Sequence, residues 1–387
     1  MVSEHRRLGL LLTGGGARTA YQVGVLLAVA GWLPRGSPLP FPVLCGTSAG
    51  AINAAVLASH ARDFRQGAAR LASVWAHFST GQVVRADRRT LTRASLRWLL
   101  ALVFGSRGQH NPRALLDVAP LRTLLERRLD LGAIANAIAE GQITAFGVTA
   151  LSYGHGRSVT FFQGHPEIKS WMRARHQGVA TAVGLDHLLA SAAIPFLFPA
   201  ICVDGSWFGD GSMRQTAPVS PAIHLGAERI LIVDIRQTQP ASHDSGYPSL
   251  ARLGGHVLNS IFLDNLEPDL ERLTRVNEAM EHLAPSFQAR MGLRAIDTCV
   301  VTPSADLSAL AFTHRKSLPR ALRRVLGRLG ALSEGGADLM SYLLFERAYC
   351  RELMTLGRED ARSRKDELLA FIREPARSAA LAGQPGR

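Results

Sequence analysis

The pentapeptide Gly46-Thr47-Ser48-Ala49-Gly50 constrains this chain more than any other feature. It is a GxSxG pattern set between an apolar stretch, Val43–Cys45, and a helix-forming one, AINAAVLASH. A serine on such a strand-to-helix turn needs small neighbours, because the backbone is cramped there. The turn lifts the hydroxyl above the sheet edge and sets it at a helix N-terminus, where free N–H groups favour developing negative charge. Ser48 is therefore the candidate nucleophile, with Gly46 and Gly50 as the residues that let the turn form. A plain glycine-lined turn is the alternative.

The preceding segment supplies the frame. Leu8–Leu12 reads as a short buried strand, Gly14-Gly15-Gly16-Ala17-Arg18 as a glycine loop, and Tyr21–Ala30 as a helix. The order strand, turn, helix, strand, turn, helix indicates parallel strands with crossover helices. Glycines can aim successive backbone N–H groups at one point, so the loop suits a phosphate or the oxyanion of an ester intermediate. No Gly-Lys-Ser/Thr is present for a P-loop. Thr19 stands where a dinucleotide fingerprint needs its last glycine, and the second strand ends in the serine turn, not in a ribose-binding carboxylate.

A third signal is Asp210-Gly211-Ser212, about 160 residues after the serine. Aspartate before glycine is common in turns. A second copy, Asp204-Gly205-Ser206, lies six residues upstream and competes with it.

Together these pieces resemble the patatin-like phospholipases over Leu8–Ile235. The stretch ASAAIPFLFPAICVDGSWFGDGSMRQTAPVSPAIHLGAERILIV is similar to that family along its length. The resemblance implies an α/β fold, a parallel-rich central sheet with helices on both faces, and lipid acyl hydrolysis without a cofactor or metal. It assigns Ser48 as nucleophile, Asp210 as its base, and Gly14, Gly15 and Gly16 as the oxyanion hole. Arg18, Gly46, Gly50 and Gly211 are the supporting motif positions. Thr19 and Ser212 depart from the family pattern, where small residues are usual. Asp210 is preferred to Asp204 because Gln215–Pro218 resembles the stretch downstream of the family's aspartate. Ser341–Ala361 also looks like the extension of bacterial members.

Further along, 64–140 reads as mainly helical, Ile143–Leu151 and Arg157–Phe162 as a hairpin, and Leu185–Ala193 as helical. Ile201–Asp204 and Trp207–Phe208 read as short strands, and Arg229–Ile235 as a buried parallel one. The expected division is a catalytic domain over 8–236, a linker over 237–250, a mainly helical extension packed on the core over 251–375, and a frayed tail over 376–387. Helical patterns near 251–284, 317–331 and 338–372 surround a strand near Thr298–Thr302. Residues 94–104, ASLRWLLALVF, suit an interfacial helix or part of an acyl pocket, and equally an ordinary buried helix.

Charge narrows the partners. The chain of 387 residues carries a net +13, almost all of it arginine, and the arginines read as scattered along the sequence. Arginine pairs with phosphate, so anionic membrane surfaces and nucleic acid both qualify. No helix-turn-helix, zinc finger or RRM pattern is present, and aromatics are sparse at 6%. A lipid ester substrate with peripheral contact to an anionic membrane is expected, and no nucleic acid. Cys45, Cys202, Cys299 and Cys350 read as reduced core thiols of a cytoplasmic protein. The rival enzyme is an α/β-hydrolase triad using His224, His243, His256, His282 or His314, none in a recognisable loop after a strand end. A non-catalytic basic lipid- or nucleic-acid-binding protein is the rival from another class.

Overall fold

Each strand at the centre of the sheet is a run of Val, Ile, Leu or small residues buried on both faces, the pattern that parallel strands covered by helices require. In the computed structural model of the chain, the described residues are 7–85, 114–236, 250–262, 266–291, 294–333 and 336–374. Ten strands form one sheet: β1 (Leu8–Leu12), β2 (Val43–Thr47), β3 (Ala145–Ser152), β4 (Arg157–Gly164), β5 (Trp171–Met172), β6 (His176–Ala180), β7 (Ile201–Val203), β8 (Ser206–Asp210), β9 (Arg229–Val233) and β10 (Asp297–Val301). The main order is β10-β9-β1-β2-β3-β4-β6-β5, with β8 pairing β3 and β7 pairing β8. From β10 through β3 every pairing is parallel. The β3–β4 hairpin and β8 run antiparallel.

The helices among the described residues are α1 (Ala20–Trp32), α2 (Ala49–Ser59), α3 (Phe64–Ala76), α4 (Thr80–Val83), α5 (Ala119–Arg128), α6 (Leu131–Ala139), α7 (Leu185–Ser191), α8 (Ser220–His224), α9 (Leu250–Phe262), α10 (Leu266–Glu281), α11 (Pro285–Met291), α12 (Leu307–Thr313), α13 (Arg320–Arg328), α14 (Ala337–Leu343), α15 (Arg347–Ser363) and α16 (Lys365–Arg373). Leu10, Leu12, Leu44, Phe146 and Leu231 face one core with α1, α2, α3 and α15. Leu11, Val43, Cys45, Ile230 and Ile232 face the other, with α8 and α10. Helices thus cover both faces.

α1 is apolar all round because it lies between the sheet and α15. Glycine makes that contact close: a Cβ at Gly24 would stand 2.1 Å from the Met354 carbonyl oxygen, and one at Gly357 2.2 Å from that of Tyr21.

Several expectations change. β2 and β8 run two residues further than anticipated, to Thr47 and Asp210, because both continue a ladder with β3. β5 and β6 were not anticipated, since HQGVA is polar and only half-buried at the sheet's edge. The helical patterns near 251–284 and 338–372 are each divided among shorter helices. β10 pairs in parallel with β9 in the main sheet. Cys202 is exposed, because the short strand β7 turns that side chain away from the core. Residues 237–249 of the expected linker over 237–250, residues 94–104 and the tail over 376–387 lie outside the described residues, while Leu250 opens α9.

Candidate active site

β3 is the ruler that brings the two motifs together. Thr47, the last residue of β2, is opposite Thr149, and Asp210, the last residue of β8, is opposite the next residue, Ala150. The ends of β2 and β8 therefore meet along one strand, with Ser48 and Asp210 at the same sheet edge.

Ser48 sits at φ 55° and ψ −131°, a conformation that a side chain rarely adopts and that the surrounding turn imposes. A Cβ at Gly46 would lie 2.5 Å from Ala51 Cα, and one at Gly50 2.4 Å from the Leu12 and Thr13 carbonyl oxygens, so any larger residue would push the turn apart. The Ser48 amide donates to Ser191 Oγ at 2.8 Å, whose hydroxyl donates to the Thr149 carbonyl at 2.6 Å. Ser191 thus ties the turn to β3. It was not anticipated, since one serine in ASAAIPF carries no signal until the fold places it.

Asp210 is fully buried. Its backbone amide donates to the Ala193 carbonyl at 2.9 Å, and its Oδ1 accepts from the Ser212 amide at 2.9 Å. Oδ2 is buried without a full hydrogen bond of its own. Burial pushes the carboxyl up to about 6, while the neighbouring Ser48 hydroxyl and the Ser212 amide and hydroxyl pull it down. Gly211 is packed so that a Cβ would meet the Thr149 carbonyl oxygen at 2.0 Å. Asp204, in contrast, is exposed at the β7–β8 turn with φ 48°. Tyr153 lies over Gly209 on the Asp210 side. Burial, and then the Asp210 charge, raise its phenol.

The glycine loop follows β1, and its Gly16 lines the same pocket as Ser48. Gly15 and Gly16 take φ 156° and 55°, and a Cβ on Gly16 would stand 2.3 Å from the Tyr342 carbonyl oxygen. The amides of Gly14, Gly15 and Gly16 donate to no acceptor among the described residues. Arg18 is buried and turns away from the pocket. Its guanidinium donates to Ser341 Oγ at 2.7 Å, Ser308 Oγ at 2.8 Å, Asp338 Oδ1 at 3.2 Å and Tyr342 Oη at 3.3 Å, and lies 4.1 Å over the Tyr342 ring. A second buried chain holds the loop from below. Trp75 Nε1 donates to Asn53, Asn53 to Gln22, and Gln22 to the Thr13 carbonyl, while Thr13 Oγ1 donates to Asp234.

Gly16, Ser48 and Ala49 open into an apolar groove along α2, lined by Ile52, Val56, Leu71, Trp75, Phe78, Leu121, Leu125, Phe198 and Phe345. It spans about 800 Å³ of space free of protein atoms, part of it open to solvent. Among the described residues no histidine lines it. His224 packs against Trp171 on the other face, His314 pairs with Glu352, and His256 and His282 are exposed. His243 is outside the described residues. Among the described residues no group of three or more His, Cys, Asp or Glu is placed to hold a metal, and no helix is long and apolar enough to cross a membrane.

Residues 10–223, just over half of the chain, match the family model described as patatin-like phospholipase. Among solved structures, VipD from Legionella pneumophila is 12% identical, with 87% of this chain and 67% of that one covered and a TM-score of 0.33. A chain from the structure of full-length SpcU in complex with full-length ExoU, from the type III secretion system of Pseudomonas aeruginosa, is 15% identical. There 97% of this chain and 83% of that one are covered, at a TM-score of 0.28. No curated protein matches.

Proposed function

The chain belongs to the patatin-like phospholipase family, and from that premise we propose that it cleaves carboxyl esters of lipids through a Ser48–Asp210 dyad. A serine hydroxyl is a weak nucleophile until a base takes its proton. The observation that carries the reading is the buried Asp210 carboxyl beside the Ser48 hydroxyl, with one oxygen lacking a full hydrogen bond and the group pushed up to about 6. That leaves it largely ionised at neutral pH, yet basic enough to accept a proton.

Ser48 Oγ attacks the ester carbonyl carbon as its proton passes to Asp210. The carbonyl oxygen becomes an oxyanion, which the unpaired amides of Gly14, Gly15 and Gly16 stabilise. Collapse breaks the bond to the alcohol, which leaves with the proton from Asp210. Water then attacks the acyl-enzyme, giving its proton to Asp210, and the fatty acid departs as Ser48 is reprotonated. The groove along α2 suits the acyl chain, since most of its lining side chains are apolar, with Asn53, Arg70 and Arg128 the polar exceptions beside Ser48. Ser191 positions Ser48 by holding its amide.

Labelling with a fluorophosphonate probe tests this. Wild type and Asp204→Asn are expected to label and to release fatty acid from phospholipid. Ser48→Ala should not label at all, and Asp210→Asn should label at least about 10³-fold more slowly. Undiminished labelling of Ser48→Ala overturns the nucleophile, and a loss confined to Asp204→Asn overturns the base.

A further inference from the structure

Residues 307–333 contain no aspartate or glutamate, yet Arg315, Lys316, Arg320, Arg323, Arg324 and Arg328 fall within them. That is six positive charges in a stretch without a negative one, against +13 for the whole chain. Folding sharpens the imbalance. Leu322 and Leu326 of α13 point into the core, which turns the opposite face of the helix outward. Arg320, Arg324 and Arg328 succeed one another at four-residue spacing on that face, and all three are exposed, with Arg323 beside them. Among the described residues none of the four pairs with a carboxylate. They rim a concavity whose floor is Gly327 and Leu332.

Like charges one helical turn apart repel, so this face costs stability unless a counter-charge covers it. We propose that the arginine face of α13 docks on an anionic phospholipid bilayer. Guanidinium pairs with phosphate oxygens in a planar fork, and a row of three spans about 12 Å along the helix, enough to engage several headgroups at once. Leu332, set among the arginines, suits the acyl boundary below a headgroup. A single-stranded nucleic acid would want an aromatic platform, and none lies between Arg320 and Leu332.

The face is also close to the candidate site. Gly336 packs on the Gly330 carbonyl just beyond α13, and the seven-residue α14 leads from there to Phe345 in the groove wall. The purpose of docking rests on the proposed lipid hydrolysis, but the binding itself is measured without it.

The test is co-sedimentation of the full chain with vesicles of phosphatidylcholine alone, or with about one third phosphatidylglycerol, at low salt and at about 1 M, where the screening length is about 3 Å. Each basic residue in the headgroup field contributes roughly fivefold to partitioning. The wild type should therefore bind the anionic vesicles and release them in high salt. The R320Q/R323Q/R324Q/R328Q variant should bind roughly several hundredfold more weakly, and the corresponding four-lysine variant should keep most of the binding. Fluorophosphonate labelling should be the same in all three, which separates failure here from failure of the dyad. Equal binding by the glutamine variant, equal binding to both vesicle types, or no binding by the wild type overturns the proposal. So does duplex DNA that displaces the wild type from vesicles and is itself retained through these arginines. If the glutamine variant does not fold, salt-insensitive binding by the wild type overturns it.

Discussion

The two sides of the candidate site are held by opposite means. Ser48 and Asp210 are fixed by strand register: adjacent residues of β3 face the ends of β2 and β8, and both side chains are buried. The glycine loop is fixed by a charge. Arg18 reaches α12 and α14 across 290 or more positions of sequence and satisfies its donors on Ser308, Asp338, Ser341 and Tyr342. Ser48 and Asp210 thus lie within the first two-thirds of the chain, whereas the glycine loop depends on the last third. A strand ladder tolerates the loss of one side chain better than a buried ion does, because its hydrogen bonds belong to the backbone.

Removing the ion's partner is the largest expected effect. Asp338→Ala leaves the Arg18 guanidinium buried without a carboxylate, which should cost about 3 kcal/mol in urea unfolding. Turnover of a soluble ester should fall with it, while the acid limb of its pH profile stays in place. An unchanged stability would show that the loop is not held from the C-terminal side.

Asp210→Asn acts on the other side and with the opposite sign. The wild-type carboxyl is raised from 3.8 to about 6 in the fold. The native state therefore binds this proton more tightly than the unfolded chain, and stability is lost as pH rises from about 4 through about 6. Asparagine removes that loss, so the variant should be more stable at neutral pH by up to about 3 kcal/mol. Wild-type activity should rise with pH through about 6 as the base ionises, and the variant should lack that limb. A variant less stable than wild type at pH 7, or a wild-type profile flat between pH 4 and 8, would break the account of Asp210.

Ser191→Ala is the smallest. It frees the Ser48 amide and the Thr149 carbonyl but leaves both strands in register. Turnover should drop about tenfold with little change in KM, and Ser191→Thr should recover most of it. A change in KM alone would place Ser191 in substrate binding instead.

The parts legible beforehand are those whose signal is local. Leu8–Leu12, the 145–164 hairpin and Arg229–Val233 each announce themselves by a short apolar or alternating run. The strand β6, next to the sheet's edge, does not, because a polar, half-buried strand lacks the pattern that burial imposes. The arginines look scattered when counted along 387 residues, and only the turn of α13 stacks Arg320, Arg324 and Arg328 on one face. Ser191, Asn53 and Gln22 were unreadable for a different reason. Each is an ordinary polar residue until a partner distant in the chain consumes its hydrogen bonds.

The sequence by itself determined the cramped turn at Gly46–Gly50 and the glycine loop after β1, since both result from steric limits within a few neighbouring residues. The resemblance of Gln215–Pro218 already favoured Asp210 over Asp204, but only the tertiary structure buries Asp210 beside Ser48 and leaves Asp204 exposed. Six positions apart and each trailed by the same Gly-Ser pair, they differ in burial and in backbone, since Asp204 sits in a turn at φ 48°. One ends a strand against β3 in a dry interior, and the other turns out into water.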